Sequence, residues 1–311
     1  MCARYVCKSA EHKINLWLPN LYSQMIYGSS FERGPELPFP VDSADGMGWR
    51  DASTGGGRTT MDTTAPFNGK RSQKLSGSGA AVANRGLGNE GLVFAAGSEY
   101  EGYLFAKSIG AARITVSIRD WSASLTEPGR VLASAVLEVP AGNWSRLNFS
   151  LTPATGTNCE GIVPQGPTAN ASNITCPINM TYDRTGTMSD RKAHICVKCG
   201  GEFVVSLKQD GTVNIDFVFL QPGVWGRYKG LPVLKTGVQW LLDMGTSLFR
   251  LGGTFSGGED YFWKLWRGKP WTRPSMTTSW GHDLMAGWGP FEMIDMANGA
   301  RVSSDFLLIF F

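Results

Sequence analysis

The sequence is poor in charge and very poor in histidine. Only 18% of its 311 residues are charged, and the net charge at pH 7 is +3. The basic residues are scattered, which argues against a nucleic-acid partner held by a basic patch. The histidines are His12, His194 and His282, and their spacing forms neither a catalytic triad nor a metal-ligand set. The sequence therefore predicts no cofactor and no metal centre.

Long apolar runs are also missing. The ending "FLLIFF" is far shorter than the stretch of about 20 apolar residues that crosses a bilayer. The opening "MCARYVCKSAEHKINLWLPN" lacks the basic start and the uninterrupted apolar run of a signal peptide. We therefore expect no membrane span, and no signal peptide is visible.

Glycine and tryptophan, by contrast, are abundant. The sequence has 39 glycines and 11 tryptophans, and 42% of its residues are hydrophobic. This composition favours strands, turns and exposed rings over a helical bundle. The length predicts one large domain or two ordinary ones.

A cluster of N-glycosylation acceptors indicates a secreted protein. The five Asn-x-Ser/Thr acceptors are Asn143, Asn148, Asn170, Asn173 and Asn179. The alternative is that these residue types are simply common in surface loops. The cluster favours a secreted or extracellular location, although no signal peptide precedes it.

The cysteines leave two interpretations open. They are Cys2, Cys7, Cys159, Cys176, Cys196 and Cys199. The group between Cys159 and Cys199 is compatible with disulfides in an oxidising compartment. The Cys196-x-x-Cys199 pair would suit zinc, but no second close pair completes a set of four ligands.

Short β-rich runs separated by turn residues occupy the middle of the chain. In "ARITVSI", Ile114, Val116 and Ile118 alternate with polar residues, which predicts a half-buried strand. Several such runs at regular spacing predict a β-sandwich over residues 65–222, with a polar, cysteine-bearing loop inserted at 153–200. The turn Asp210-Gly211 predicts a hairpin between its two flanking strands.

The pattern changes to α/β alternation after residue 222. "LPVLKTGVQWLLDMG" predicts a helix with Pro232 in its first turn and Gly245 at its end. "TSLFRLGG" predicts a strand, "GPFEMIDMANGA" a helix with Phe291, Ile294 and Met296 as its apolar set, and "SSDFLLIFF" a final strand. This order is typical of a unit with parallel strands.

Several motifs in this region follow one another in the order found in a known family. They are Arg250-Leu251-Gly252-Gly253, Tyr261-Phe262-Trp263-Lys264, Gly268-Lys269-Pro270, Arg273-Pro274 and Gly287-Trp288-Gly289-Pro290-Phe291-Glu292, with "LYSQMIYGSSFE" upstream. The chain resembles the family 51 glycoside hydrolases, the α-L-arabinofuranosidases, over most of residues 20–300. Its middle resembles the carbohydrate-binding-module-like sandwich that many members insert.

The resemblance implies a fold and an activity. The fold is a (β/α)8 barrel with a β-sandwich, and the activity is release of arabinofuranosyl groups from polysaccharides by a retaining mechanism with two glutamates. Both glutamates belong to later barrel strands, and Asn89-Glu90 of this chain does not correspond to the family's Asn-Glu motif. We therefore assign no catalytic residue, and we expect a fragment that is inactive alone.

Four residues are candidates for substrate binding: Arg250, Gly252, Gly253 and Trp263. The two glycines follow a strand at what would be the sugar-binding face of the barrel, where a missing side chain admits a ligand or simply eases a turn. Arg250 would orient a carboxylate or form a structural ion pair. Trp263 would stack on a sugar or pack inside the loop.

Other aromatic and acidic residues carry weaker expectations. The remaining aromatic candidates, each a stacking surface or a core residue, are Trp121, Trp144, Tyr103, Trp266 and Trp271. The acids Glu259 and Asp260, and Glu292 and Asp295, are expected to face water.

The combined prediction is a jelly-roll, galactose-binding-like β-sandwich followed by a partial (β/α)8 barrel. Residues 1–64 form an N-terminal segment and linker, 65–222 the sandwich and 223–311 the partial barrel. The expected partner is a polysaccharide or oligosaccharide, with no nucleic acid. The alternative is a non-catalytic, carbohydrate-binding secreted glycoprotein, and a weaker one is a secreted adhesion module.

Overall fold

The computed structural model describes most of the central part of the chain. The described residues are 21–32, 49–86, 91–120, 128–157, 181–183, 194–196, 200–251, 263–273, 275–277, 283–285, 287–301 and 303–306. Gly252, Gly253, Trp121, Glu259, Asp260 and three of the five glycosylation acceptors (Asn170, Asn173, Asn179) lie outside these ranges, as do five of the six cysteines. The predictions made for them stay predictions.

Ten strands build two antiparallel five-stranded sheets. In chain order they are β1 (Trp49–Asp51), β2 (Arg58–Asp62), β3 (Ser72–Ser76), β4 (Ala81–Asn84), β5 (Tyr100–Ser108), β6 (Ala112–Asp120), β7 (Val131–Val139), β8 (Ser145–Leu151), β11 (Gly201–Leu207) and β12 (Thr212–Pro222). The back sheet has the order β1-β4-β11-β6-β7 and the front sheet the order β2-β3-β12-β5-β8. Short strands β9 (Thr181–Asp183) and β10 (His194–Cys196) pair with each other.

The two sheets pack face to face around one apolar core. Ile114, Val116 and Ile118 of β6 are fully buried in it, as their alternation predicts. Phe203 of β11 stacks on Phe149 of β8, with ring centroids 5.6 Å apart. The β-sandwich prediction is therefore confirmed. Strands β1 and β2 lie upstream of residue 65, where the sequence predicts linker and loop, so the sheets use more of the chain than the domain prediction assigns to them.

The predicted hairpin at Asp210-Gly211 is wrong. Strand β11 pairs with β4 and β6, whereas β12 pairs with β3 and β5. The turn therefore carries the chain from the centre of one sheet to the centre of the other. Gly211 has a φ of +133°, which few residues other than glycine adopt. A turn of this composition does not distinguish a hairpin from a crossing between sheets.

An α/β segment follows the sandwich. It contains α1 (Lys235–Asp243), β13 (Leu248–Leu251), β14 (Ser275–Thr277), β15 (Asp283–Met285), α2 (Pro290–Ala300) and β16 (Ser303–Phe306). Strands β13 and β16 pair in parallel, with Arg250 opposite Asp305. The parallel unit agrees with the α/β alternation, but a closed barrel does not follow from one strand pair, and the barrel stays a prediction.

The helices differ in detail from the sequence expectations. Helix α1 begins after Leu234, so Pro232 precedes it, while Gly245 ends it with a φ of +70°. In α2, Met293 and Met296 face the core, and Phe291 is 39% exposed although it was expected in the apolar set. The cause is the helix register, which is fixed by the burial of Trp288 and Met293 in one cluster with Val233 and Val238.

Candidate functional site

The carboxyl end of β13 is where the sequence places the sugar-binding residues. Arg250 lies one residue before the end of this strand, and Trp263 begins a short 3-10 helix, Trp263–Trp266, after the undescribed stretch. Because Gly252 and Gly253 fall in that stretch, the structure does not show whether these four residues converge. Their assignment to substrate binding therefore stays a prediction.

Arg273 is the buried anchor of the loop that follows β13. It is 2% exposed, and its guanidinium forms an ion pair with Glu292. Its other N–H groups donate to the carbonyl oxygens of Gly268, at 2.9 and 3.1 Å, and of Gly287, at 3.2 Å. The expectation that Glu292 faces water is wrong, because its side chain is only 11% exposed and lies against this guanidinium.

Glu292 also fixes the start of helix α2. Its second carboxylate oxygen accepts the backbone N–H of Gly289 at 2.9 Å, and a carboxylate there interacts favourably with the helix dipole. Trp266 packs so closely on Gly289 that a Cβ on this glycine would lie 2.1 Å from the ring. Trp266 is thus a buried packing residue and not an exposed stacking surface.

Tyr22 bridges the two parts of the molecule. Its ring contacts Phe219 of the front sheet and Trp288 beside α2, with centroid distances of 6.2 and 6.0 Å. Burial raises the pKa of the Tyr22 hydroxyl, and the nearby Tyr103 and Glu292 act in the same direction. The segment around Tyr22 therefore joins the sandwich to the α/β segment.

The outer face of the front sheet carries an aromatic cluster. Its buried members are Tyr103, Phe105, Phe217 and Phe219, and Tyr22, Phe67, Trp144 and Trp271 pack against them. The ring of Phe67 stacks on Phe105 with centroids 3.6 Å apart, and Trp271 meets Tyr103 edge-on at 5.2 Å. Tyr103 is therefore a packing residue, while Trp144 and Trp271 remain partly exposed.

Asn68 holds the loop after β13 against this face. Its side-chain amide donates to the carbonyl oxygens of Trp271 and Arg273, at 2.8 and 2.9 Å. The loop that carries Asn68 is itself held by Asp216, whose carboxylate accepts the backbone N–H groups of Phe67 and Asn68 at 3.0 and 3.1 Å. The loop at the carboxyl end of β13 and the front sheet thus form one surface.

Asp216 is fully buried where β12 changes register. Its other carboxylate oxygen accepts the N–H of Phe217 at 2.7 Å, and Phe217 has the unusual φ of +42°. Burial raises the pKa of Asp216 to about 8, although the backbone donors act in the opposite direction. Sequence reasoning missed this residue, because a single Asp in a strand predicts neither burial nor a bulge.

The two glycosylation acceptors in the described ranges are accessible. Asn143 lies in the turn before β8, and Asn148 lies on β8 opposite Tyr103; both side chains are exposed. Among the residues whose side chains the structure describes, no three His, Cys, Asp or Glu side chains form a metal-binding group. The choice between disulfides and zinc concerns cysteines outside those residues.

Comparison with known proteins gives a structural likeness without a sequence match. No family profile and no curated protein sequence matches the chain. An arabinose-bound MgGH51 α-L-arabinofuranosidase is similar in structure, with a TM-score of 0.65 and 18% identity over 92% of this chain. The chain spans 41% of the length of that protein. The likeness concerns the fold.

Two further similarities are weaker and cover less of the chain. The CBM22-1–GH10 modules of Clostridium thermocellum endo-1,4-β-D-xylanase 10B, complexed with xylohexaose, have a TM-score of 0.34 and 14% identity over 65% of this chain and 29% of theirs. The CBM22-1 xylan-binding domain of Paenibacillus barcinonensis Xyn10C has a TM-score of 0.34 and 10% identity over 65% of this chain and 96% of its own.

Proposed function

We propose that this chain is the sugar-binding part of an α-L-arabinofuranosidase-like glycoside hydrolase. The observation that carries the proposal is the fold likeness to the α-L-arabinofuranosidase, which extends over 92% of the chain and so includes both the sandwich and the α/β segment. The order of the motifs from Arg250 to Glu292 supports it independently. The polysaccharide would contain arabinose, and the protein would act outside the cell, as the cluster of glycosylation acceptors suggests.

The residues of the proposed sugar site are Arg250, Gly252, Gly253 and Trp263. In a barrel enzyme, the loops at the carboxyl ends of the parallel strands bind the substrate. Arg250 lies at that end of β13, and the loop beyond it is anchored through Arg273 and Asn68. An anchored loop keeps binding groups in place, which lowers the entropy that binding costs.

The proposal for this chain concerns sugar binding and does not include cleavage of the glycosidic bond. A retaining mechanism needs a pair of carboxyl groups about 5 Å apart. The family resemblance assigns no catalytic carboxylate to this chain, and we expect it to bind arabinose-containing polysaccharides without hydrolysing them. Helices able to span a membrane do not occur in the part of the chain that the structure describes.

A second candidate function is a non-catalytic carbohydrate-binding glycoprotein. The observation that favours it is the outer face of the front sheet, where Trp144 is partly exposed and held by a hydrogen bond of 3.1 Å from its indole N–H to the carbonyl of Ala65. An aromatic ring fixed in this way is suited to stack on a sugar. In this case the sandwich would bind the glycan and the α/β segment would not.

One binding experiment distinguishes these candidates. Isothermal titration of the full chain with arabinoxylan is compared for Arg250→Gln, Trp144→Ala and the control Arg113→Gln, which changes an exposed arginine of the back sheet. The hydrolase-type site predicts an affinity about tenfold lower for Arg250→Gln. A loss confined to Trp144→Ala would favour the binding glycoprotein. No heat with arabinan or arabinoxylan would contradict both, and arabinose release by the chain would contradict the expected inactivity.

A further inference from the structure

The side chain of Arg146 lies against two aromatic rings that meet edge to face. Its guanidinium carbon lies 3.9 Å from the ring centre of Tyr103 and 4.3 Å from that of Trp271. Arg146 belongs to β8 of the sandwich, and Trp271 belongs to the loop that follows β13. A guanidinium that contacts aromatic rings in this way can still offer N–H groups to an in-plane, bidentate partner such as a carboxylate.

No acidic partner engages this guanidinium in the part of the chain that the structure describes. Arg146 is exposed, yet it makes neither an ion pair nor a hydrogen bond to a described residue. Asp216, which pairs with Phe105 on the other side of β5, is fully buried and already accepts three backbone N–H groups. A stacked arginine without a carboxylate is a ready site for an anion.

Two lysines add positive charge to the same aromatic cluster. Lys269 has its ammonium nitrogen 5.3 Å from the ring centre of Trp271, and Lys107 has its own 5.0 Å from that of Trp144. Lys107 also donates to the carbonyl oxygen of Ala65 at 3.2 Å, which is a neutral acceptor. The junction between sandwich and loop is therefore cationic and aromatic, although the net charge of the whole chain is only +3.

We propose that Arg146, Lys269 and Lys107, together with the partly exposed rings of Trp271 and Trp144, form a subsite for the carboxylate of a uronic acid residue in a bound polysaccharide. The guanidinium edge matches a carboxylate, and the adjacent rings match the C–H face of the sugar. This inference rests on the proposed function, since it names the class of polysaccharide.

The test compares one polymer with and without its carboxyl groups. The full chain is titrated with an arabinoxylan bearing glucuronic acid substituents and with the same polymer after its carboxyl groups are reduced to alcohols. We expect about tenfold tighter binding of the acidic polymer, and Arg146→Gln should lower this affinity to that for the reduced polymer. Binding of the reduced polymer should not change. Arg113→Gln, which removes a charge from the back sheet, should change neither.

The possible outcomes distinguish the uronate subsite from the proposed function. Equal affinities for the two polymers, unaltered by Arg146→Gln, would overturn the uronate subsite and leave the proposed function intact. Failure to bind either polymer would contradict both the uronate subsite and the proposed function. Free glucuronate should compete better than inorganic phosphate at equal ionic strength, and equal competition would show an unspecific anion site instead.

A further variant guards against a folding effect. If Arg146→Gln loses the near-ultraviolet circular dichroism of the parent, Lys269→Gln takes its place, since Lys269 is exposed in the loop. We expect a loss of about threefold for the acidic polymer only. Unchanged affinity of Lys269→Gln for the acidic polymer would then count against the subsite.

Discussion

The β-sandwich and the α/β segment differ in the size of their apolar cores. In the sandwich, the central strands β11 and β12 are buried along nearly their whole length. In the α/β segment, a smaller cluster forms around Val233, Val238 and Met296. The sandwich closes a core between its own two sheets, whereas the core of the segment is completed by Leu21 and Tyr22 from the N-terminal part of the chain. We infer that the sandwich supports the segment and not the reverse.

The largest expected loss of stability comes from removing a side chain of the sandwich core. Phe203→Ala removes a fully buried ring, which should lower the free energy of unfolding by about 4 kcal/mol. Because the segment rests on the front sheet, hydrogen exchange should then accelerate in peptides from both regions. The matched variant Phe249→Ala, in the smaller core of the segment, should accelerate exchange only between residues 233 and 300. If hydrogen exchange were slower in the segment than in the sandwich for both variants, the inference that the sandwich supports the segment would be wrong.

A smaller effect is expected at the junction. Arg273→Leu leaves Glu292 as a buried carboxylate without its guanidinium, which should cost about 3 kcal/mol. The change should appear as faster proteolysis of the loop at 263–273 while the circular dichroism of the sandwich persists. Arg113→Gln breaks an exposed pair with Glu138 and should cost less than about 1 kcal/mol. If Arg273→Leu and Arg113→Gln lowered the free energy of unfolding by similar amounts, Arg273 would not anchor the loop.

A third expected effect is a pH dependence of stability centred on Asp216. Its pKa is raised from 3.8 to about 8 in the folded chain, so the folded state retains a proton that the unfolded state has lost between these values. Stability contributed by this group is therefore present at low pH and is lost as pH rises through that window, with a slope of at most about 1.4 kcal/mol per pH unit.

Urea unfolding measured from pH 5 to pH 8 tests this directly. Asp216→Asn should flatten the dependence, since asparagine does not titrate, while Glu138→Gln on the exposed surface should leave it unchanged. An identical slope in the parent and in Asp216→Asn would assign the pH dependence to another group. The absolute stability of Asp216→Asn is a separate quantity, because an amide cannot accept all three backbone donors.

The sandwich could be predicted because its signal is local. The alternation of Ile114, Val116 and Ile118 specifies a strand with one buried face whatever its neighbours are. The parallel pair β13 and β16 likewise followed from the order of helix and strand. Which sheet a strand joins is not a local property, and so the sequence around Asp210 predicted a hairpin where the chain crosses between sheets.

The contacts that build the candidate site could not be predicted for the same reason. Glu292 lies three positions before Asp295 on one helix, which predicts a solvated face, but Arg273 arrives from a distant loop and buries it. Arg146 lies in a strand whose pattern indicates only that it faces outward. Its contact with Trp271 depends on the docking of the two regions, which no periodicity encodes.

The route of the chain through the sheets has a consequence for synthesis. The middle strand of each sheet, β11 and β12, is made last, after β1 to β8 have already left the ribosome. Until residue 222 emerges, strands β4 and β6 lack β11, and strands β3 and β5 lack β12. Strands that pair over such sequence distances assemble slowly. A chaperone that shields apolar strands would therefore be needed most after residues 50–200 have been synthesised and before β11 and β12 are available to pair with them.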